Sequence, residues 1–359
     1  MQFHWHFGRL SIGCVRAGAV FFGRWSACLL LLLLSALPAP SAVATPDVYG
    51  QAELETEAVR LRNAVIRIYE IGLKPSLTAE EKRAIGDFEF TFPSPKDGGD
   101  RLDFAATTDG RFLIMPVAAL KGVEDLMTAF AWRYEQRQLL SAIDLYFAML
   151  RYRDRKDFPG GKYPAIMEAL SVPKDAYKID KKVDDLSLRL RNEAFAFIIA
   201  HELGHIRFKH KSVAQIGAVQ SQRDETEADR FALDLFARTK TPALGAVVFF
   251  QAQIYSLPHR HEYPSEDEWR KYVASVMTHP LSVDRIRAMA DYMDGPLARS
   301  VSNEAVHWRD IGALARGLVN IMMDDELARC VVRLAKDADP AMLRPRGGAE
   351  GAGLTMGCW

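Results

Sequence analysis

Few stretches of this sequence are both apolar and long. The run from Ala27 to Leu37 is leucine without interruption from Leu29 to Leu34, and Pro38 and Pro40 then end it. A comfortable membrane span needs about 20 residues, so this run is too short for one. Charge of a single sign is also missing. Lys and Arg number 46, as do Asp and Glu, for a formal net charge of +0, and the basic residues are spread along the chain. That pattern excludes an electrostatic footprint for nucleic acid and a polybasic surface for anionic lipid. Internal repeats are absent, and nothing after residue 300 is long enough for a helical repeat array. What is present is an ordinary globular composition, 49% hydrophobic and 26% charged, in a length that one large domain with insertions absorbs.

The N-terminal segment reads as a targeting signal. Arg9, Arg16 and Arg24 precede the leucine run, and Ala42-Val43-Ala44 follows it, the small-x-small pattern of signal peptidase sites. The expectation is a signal peptide over 1–44, cleaved near Ala44, and a periplasmic or secreted mature chain without an integral span. The alternative is an uncleaved anchor. Cys28 lies before the leucines and not after them, unlike a lipoprotein signal. Cys330 and Cys358 remain in the mature chain, either joined as one disulfide or as two free thiols.

Periodicity predicts an α+β, mostly helical fold with a small sheet. Helices are expected over 50–71, 122–150, 185–211, 221–238, 243–256, 281–293 and much of 303–336. Residues 86–101 read as a loop, and 102–106 with 111–117 as a hairpin around the Asp109-Gly110 turn. Residues 152–182, rich in charge, Gly and Pro, read as a surface excursion.

Chemistry concentrates in His201-Glu202-Leu203-Gly204-His205. Residues four apart on a helix are rotated by about 400°, so both imidazoles leave one face a turn apart. That suits two nitrogens binding one tetrahedral Zn²⁺. Glu202 lies about 100° round from His201, beside the metal without ligating it, where a general base takes a proton from water. Gly204 removes a side chain beside the metal. A third protein ligand is needed. His210 lies about 180° from His201 on a continuing helix and cannot share the ion; it reads as a surface or supporting histidine. With Glu225 set at 0°, Ala228, Phe231, Ala232, Leu235 and Phe236 cluster between about 240° and 20°. Glu225 borders that apolar stripe and is the expected ligand. Asp229 shares its face and is expected to accept the free ring N–H of a ligating histidine. Glu227 points away, and Asp224 reads as a near-terminal or capping residue. A solvated charge at Glu225 and a structural ion pair at Asp229 stay open.

These motifs resemble the M48 family of zinc endopeptidases, in its soluble, exported form. The resemblance rests on His201 to His205 with His210, on Glu225-x-x-Ala228-Asp229, and on His279-Pro280 with Arg285-Ile286. It covers roughly residues 105–295. It implies a zincin-like (gluzincin) fold with one Zn²⁺ per chain on His201, His205 and Glu225. It also implies a role for His279, either near the oxyanion or on the metal's open position, against a merely structural helix start. Residues 45–300 would form the peptidase domain, with an insertion around 130–190, and 301–359 a helical extension with a loose tail. An exposed edge strand near 111–117 would pair with an extended peptide. The expected function is a metalloendopeptidase (EC 3.4.24.-) cutting cell-envelope proteins, with quality control as one role. The alternative is a zinc-containing but proteolytically latent binding protein of the envelope.

Overall fold

Leu54, Leu61 and Val65 fall on one helical stripe and are buried along helix α1 (Gln51–Arg67), which continues as a wider π-helical turn over Ile68–Leu73. The computed structural model from which this follows describes residues 48–94, 104–256, 259–276, 281–300 and 305–343. All of them belong to the unit Val43–Trp359. The signal segment, His279 and Cys358 lie outside the described residues. Cys330 is disulfide-bonded, to a partner that also lies outside them.

The sheet has three short strands in the order β1 (Glu89–Thr91), β3 (Phe112–Ile114), β2 (Ala105–Ala106). Strand β1 runs parallel to β3, with Phe90 opposite Leu113, and β2 runs antiparallel to β3, with Ala106 opposite Leu113. Two expectations change here. Strand β1 falls in the stretch read as a loop, where Phe88 and Phe90 pack edge-on against Tyr69 and each other, and Phe92 stacks on Phe90. The segment near 111–117 is not an exposed edge: β3 is central, and the edges are β1 and β2.

The hairpin turn sets the site's distance from the sheet. Gly110 N–H donates to the Thr107 carbonyl at 2.8 Å, and Gly110 takes φ 70°, in the left-handed region that glycine tolerates. A Cβ there would lie 3.1 Å from Ile206 Cγ2. The turn therefore rests against the helix that carries the histidines.

That helix, α4 (Lys181–Phe208), is central. It packs against α2 (Val117–Glu135), α5 (Ala218–Thr239) and α6 (Leu244–Ser256). Residues 194–204 of α4 are buried on every side. The expected single helix over 122–150 is two: α2 ends at Glu135, Arg137 takes φ 53°, and α3 (Ser141–Tyr152) begins after the break. Residues 152–182 are not a surface excursion either. Phe158, Ile166, Leu170, Val172 and Ala176 are buried, and they fasten the segment to the core. Beyond α5, helices α7 (Val283–Tyr292), α8 (Ala305–Met323) and α9 (Asp325–Asp337) complete the body. Among the described residues no helix is long and apolar enough to cross a membrane.

One buried charge in this frame has a pH consequence. Asp144 on α3 is 3% exposed and accepts hydrogen bonds from Gln251 Nε2 of α6 at 3.0 and 3.2 Å. Burial pushes its carboxyl up to about 8, and the Gln251 bond only partly offsets this. An unfolded aspartate titrates near ~3.9. Between those values the folded chain keeps a proton that the unfolded chain has lost, so stability falls as pH rises through that window. Asp144→Asn removes this dependence and keeps an acceptor for Gln251. Thermal unfolding of the variant should give a higher melting temperature than wild type at pH 8 and little difference at pH 4.

Candidate functional site

The i, i+4 spacing on α4 places His201 and His205 on one wall, with their Nε2 atoms 3.0 Å apart. Glu225 on α5 closes the triangle. Its carboxylate oxygens lie 3.3 Å from His201 Nε2 and 3.4 Å from His205 Nε2. All three ligand atoms lie within 4.8 Å of one another, and among the described residues this is the group that could hold a metal ion. Glu225 is 2% exposed and His201 4%, so these polar groups were drawn from water to meet here. Two imidazoles and a carboxylate are the donor set of an open zinc site. The residues present fit that ion.

Each histidine is oriented through its other nitrogen. His201 Nδ1 donates to Asp229 Oδ1 at 2.8 Å. Asp229 in turn accepts from Arg285 Nε at 2.6 Å and Arg285 Nη2 at 2.8 Å. Arg285 Nη1 pairs with Glu225 Oε2 at 2.8 Å. One guanidinium on α7 thus serves two carboxylates on α5. Burial works against a charged Asp229, but the field and hydrogen bonds of Arg285 outweigh it and hold the carboxyl below its usual value. Burial likewise opposes a charged His201, yet hydrogen bonds to Asp229 and Glu225 hold that imidazole above its usual value. Both partners weighed for Asp229 from the sequence, ring N–H and ion pair, are therefore present together.

His205 is supported differently. Its Nδ1 lies 2.9 Å from His210 Nδ1, and His210 Nε2 lies 3.1 Å from Glu227 Oε2. With His205 Nε2 facing Glu225, its Nδ1–H donates to His210, whose Nε2–H donates to Glu227. The wheel angle for His210 assumed a continuing helix. The helix instead ends at Phe208, and Lys209 at φ 57° turns the chain back. Glu227 is exposed, as the wheel has it, but its tip reaches this histidine.

Glu202 stands beside the triangle, 1% exposed, with Oε2 accepting the Ala106 N–H of β2 at 2.7 Å. The hairpin thus fixes the position of this carboxylate. Gly204 has a different reason from the expected one. A Cβ there would lie 2.9 Å from Ala228 Cα, so glycine lets α4 and α5 touch and does not open space at the metal. Asp224 is no cap: α5 begins at Ala218, so Asp224 sits well inside the helix. His279 lies outside the described residues. Arg285 was visible in the sequence only as part of Arg285-Ile286, and its task as counter-ion follows from the fold alone.

The site opens into a cleft of about 360 Å³ bordered by Ala105–Gly110, Glu202, His205, His210, Asp224 and Glu225. Replacing Arg285 by alanine would leave Glu225 and Asp229 buried without their cation. The expected cost is about 3–5 kcal/mol, read as a lower urea midpoint at unchanged slope; a loss below about 1 kcal/mol would mean that the pairing contributes little.

Residues 163–306, less than half of the chain, match the sequence model of the family described as Peptidase U49. Neither the curated proteins nor the solved structures compared with the chain give a match. The matched span contains His201, Glu202, His205, Glu225, Asp229 and Arg285. It supports a peptide hydrolase with protein substrates, and it is not specific to the M48 family that the motifs resemble. Across the region that holds the site, the chain is similar to a family of peptidases.

Proposed function

We propose that the chain is a zinc-dependent endopeptidase with a zincin-like catalytic domain of M48 type. The observation that carries this reading is the convergence of His201, His205 and Glu225 with Glu202 at their side. The similarity of residues 163–306 to a peptidase family supports the reaction class. We further propose that the chain acts on cell-envelope proteins after export, which rests on the signal-like segment 1–44.

Zinc bound by the three ligands would supply a Lewis acid that polarises a peptide carbonyl and renders water acidic near neutral pH. Glu202 takes one proton from the water whose oxygen adds to the carbonyl carbon. It returns that proton to the amide nitrogen as the carbon–nitrogen bond breaks. Ala106 N–H holds the Glu202 carboxylate in place through both steps. Asp229 fixes His201 with its Nε2 turned inward, and His210 does the same for His205. Arg285 pairs with both Glu225 and Asp229 and keeps the Asp229 carboxyl ionised. Strand β2 borders the cleft, where an extended peptide would lie.

The test is casein cleavage by purified chain beside Glu202→Gln, with zinc counted in both. Wild type should cleave, and the variant should hold equal zinc while losing about 10²–10⁴-fold in rate. Equal zinc without cleavage by either favours a latent binding protein. Absence of zinc from both sinks the reading.

A further inference from the structure

Helices α4 and α5 pair antiparallel. His201 meets Asp229, Gly204 lies against Ala228, and His205 meets Glu225, so each step forward on α4 is a step back on α5. With Ser221 set at 0°, Glu225, Ala228 and Ala232 fall at about 40°, 340° and 20° around α5. Ser221 therefore belongs to the stripe that faces α4. The register sets it opposite Lys209, where α4 has already ended at Phe208. Past that end the stripe faces the cleft, which Ser221 borders together with Lys209, Lys211 and Ser212. Ser221 is 4% exposed. Its backbone N–H donates to the Gly217 carbonyl at 3.0 Å, while its hydroxyl makes no hydrogen bond among the described residues. Thr226 on the same helix turns its hydroxyl back onto the Gln222 carbonyl at 2.9 Å. Ser221 has the equivalent acceptor in Gly217 and does not use it. An enclosed hydroxyl without a partner is costly, and a ligand entering the cleft would supply one.

The other wall of the cleft is β2. Ala105 and Ala106 border the same space, and Glu202 of α4 holds the Ala106 N–H. Glu202 leaves α4 about 80° around from the mean direction of His201 and His205, so β2 and α5 flank α4 as two walls. An extended peptide carries N–H and C=O groups along both of its edges. Laid along β2, it turns one edge to that strand and the other to α5. The groups on the second edge need partners once they leave water. On α5, Glu225 is committed to His201, His205 and Arg285, and Asp224 accepts from Gln220 Nε2 at 2.6 Å. The Ser221 hydroxyl both donates and accepts, and it is uncommitted.

We infer that Ser221 binds substrate, its hydroxyl hydrogen-bonding the backbone of the bound peptide on the edge turned away from β2. This rests on the endopeptidase reading above. The test uses the full chain and a quenched peptide cut at a single bond. It is compared with analogues in which one amide flanking that bond is replaced by an ester, which removes an N–H donor and weakens the carbonyl as an acceptor. Wild type should lose about fivefold in kcat/KM with the ester at one flanking position. Ser221→Ala should lose a similar factor on the all-amide peptide. In that variant the amide-to-ester ratio at the same position should fall to about one, with the ratios at other positions unchanged. Zinc content and melting temperature of Ser221→Ala should match wild type. An undiminished rate in Ser221→Ala, or ester ratios equal to those of wild type at every position, overturns the role of Ser221 alone. Loss of zinc from Ser221→Ala makes the residue structural and overturns that role too. Zinc-loaded wild type that cuts none of the peptides overturns the endopeptidase reading, and the role of Ser221 with it.

Discussion

Arg285 carries one positive charge to two carboxylates that have left water, and the arrangement of the site depends on it. Asp229 is 0% exposed and Glu225 2%. Their negative charges, a turn apart on α5, would repel each other and oppose burial of that face of the helix if no cation stood between them. The guanidinium fork reaches both, with two bonds to Asp229 and a third nitrogen on Glu225. Its rigid planar geometry is what lysine could not supply. Three elements are thereby fixed in relation to one another: α5 through its acids, α7 through the arginine, and α4 through the bond from His201 to Asp229.

Close packing completes what the charges begin. Gly204 lets α4 lie against Ala228 of α5, and Gly245 lets α6 approach the backbone of α4 near Leu190 and Ala194. Neither contact leaves room for a Cβ. Both lie along the central helix α4, so the positions of His201 and His205 are set by a core that resists displacement. The two histidines nevertheless have unequal supports. His201 leans on an ion-paired aspartate inside the protein, His205 on a second imidazole and an exposed glutamate. The first support is enclosed and charged, the second reaches the surface. Glu202 belongs to a third contact, with the backbone of β2, so the sheet contributes to the site even though only a few residues build it.

Much of this geometry could be read from spacing. His201, Glu202 and His205 follow from helical rotation alone, and Glu225 and Asp229 from their place beside the apolar stripe of α5. Those inferences work because each concerns one unbroken helix. For His210 the rotation rule fails because the helix does not extend past Phe208: a left-handed Lys209 stops it, and the imidazole swings back to His205. Arg285 is distant in sequence from the acids it serves, and no periodicity connects them. Strand β1 had a signal in the alternation of Phe88, Phe90 and Phe92, outweighed by the Gly, Pro and Asp residues that follow. The break between α2 and α3 had none: Arg137 adopts a positive φ without glycine or proline to announce it. The segment 152–182 looked like surface by composition, yet its few apolar residues are the ones that bury.

The most direct measurement is X-ray absorption at the zinc edge on purified chain loaded with one equivalent of metal. The account predicts a shell of nitrogen and oxygen at about 2.0–2.2 Å, with multiple scattering from two imidazoles and a carboxylate oxygen in the fit. Conversion of Glu225 to alanine should change the oxygen contribution and leave the imidazole pattern. A sulfur shell, a six-oxygen shell, or no bound zinc would contradict the centre built from His201, His205 and Glu225.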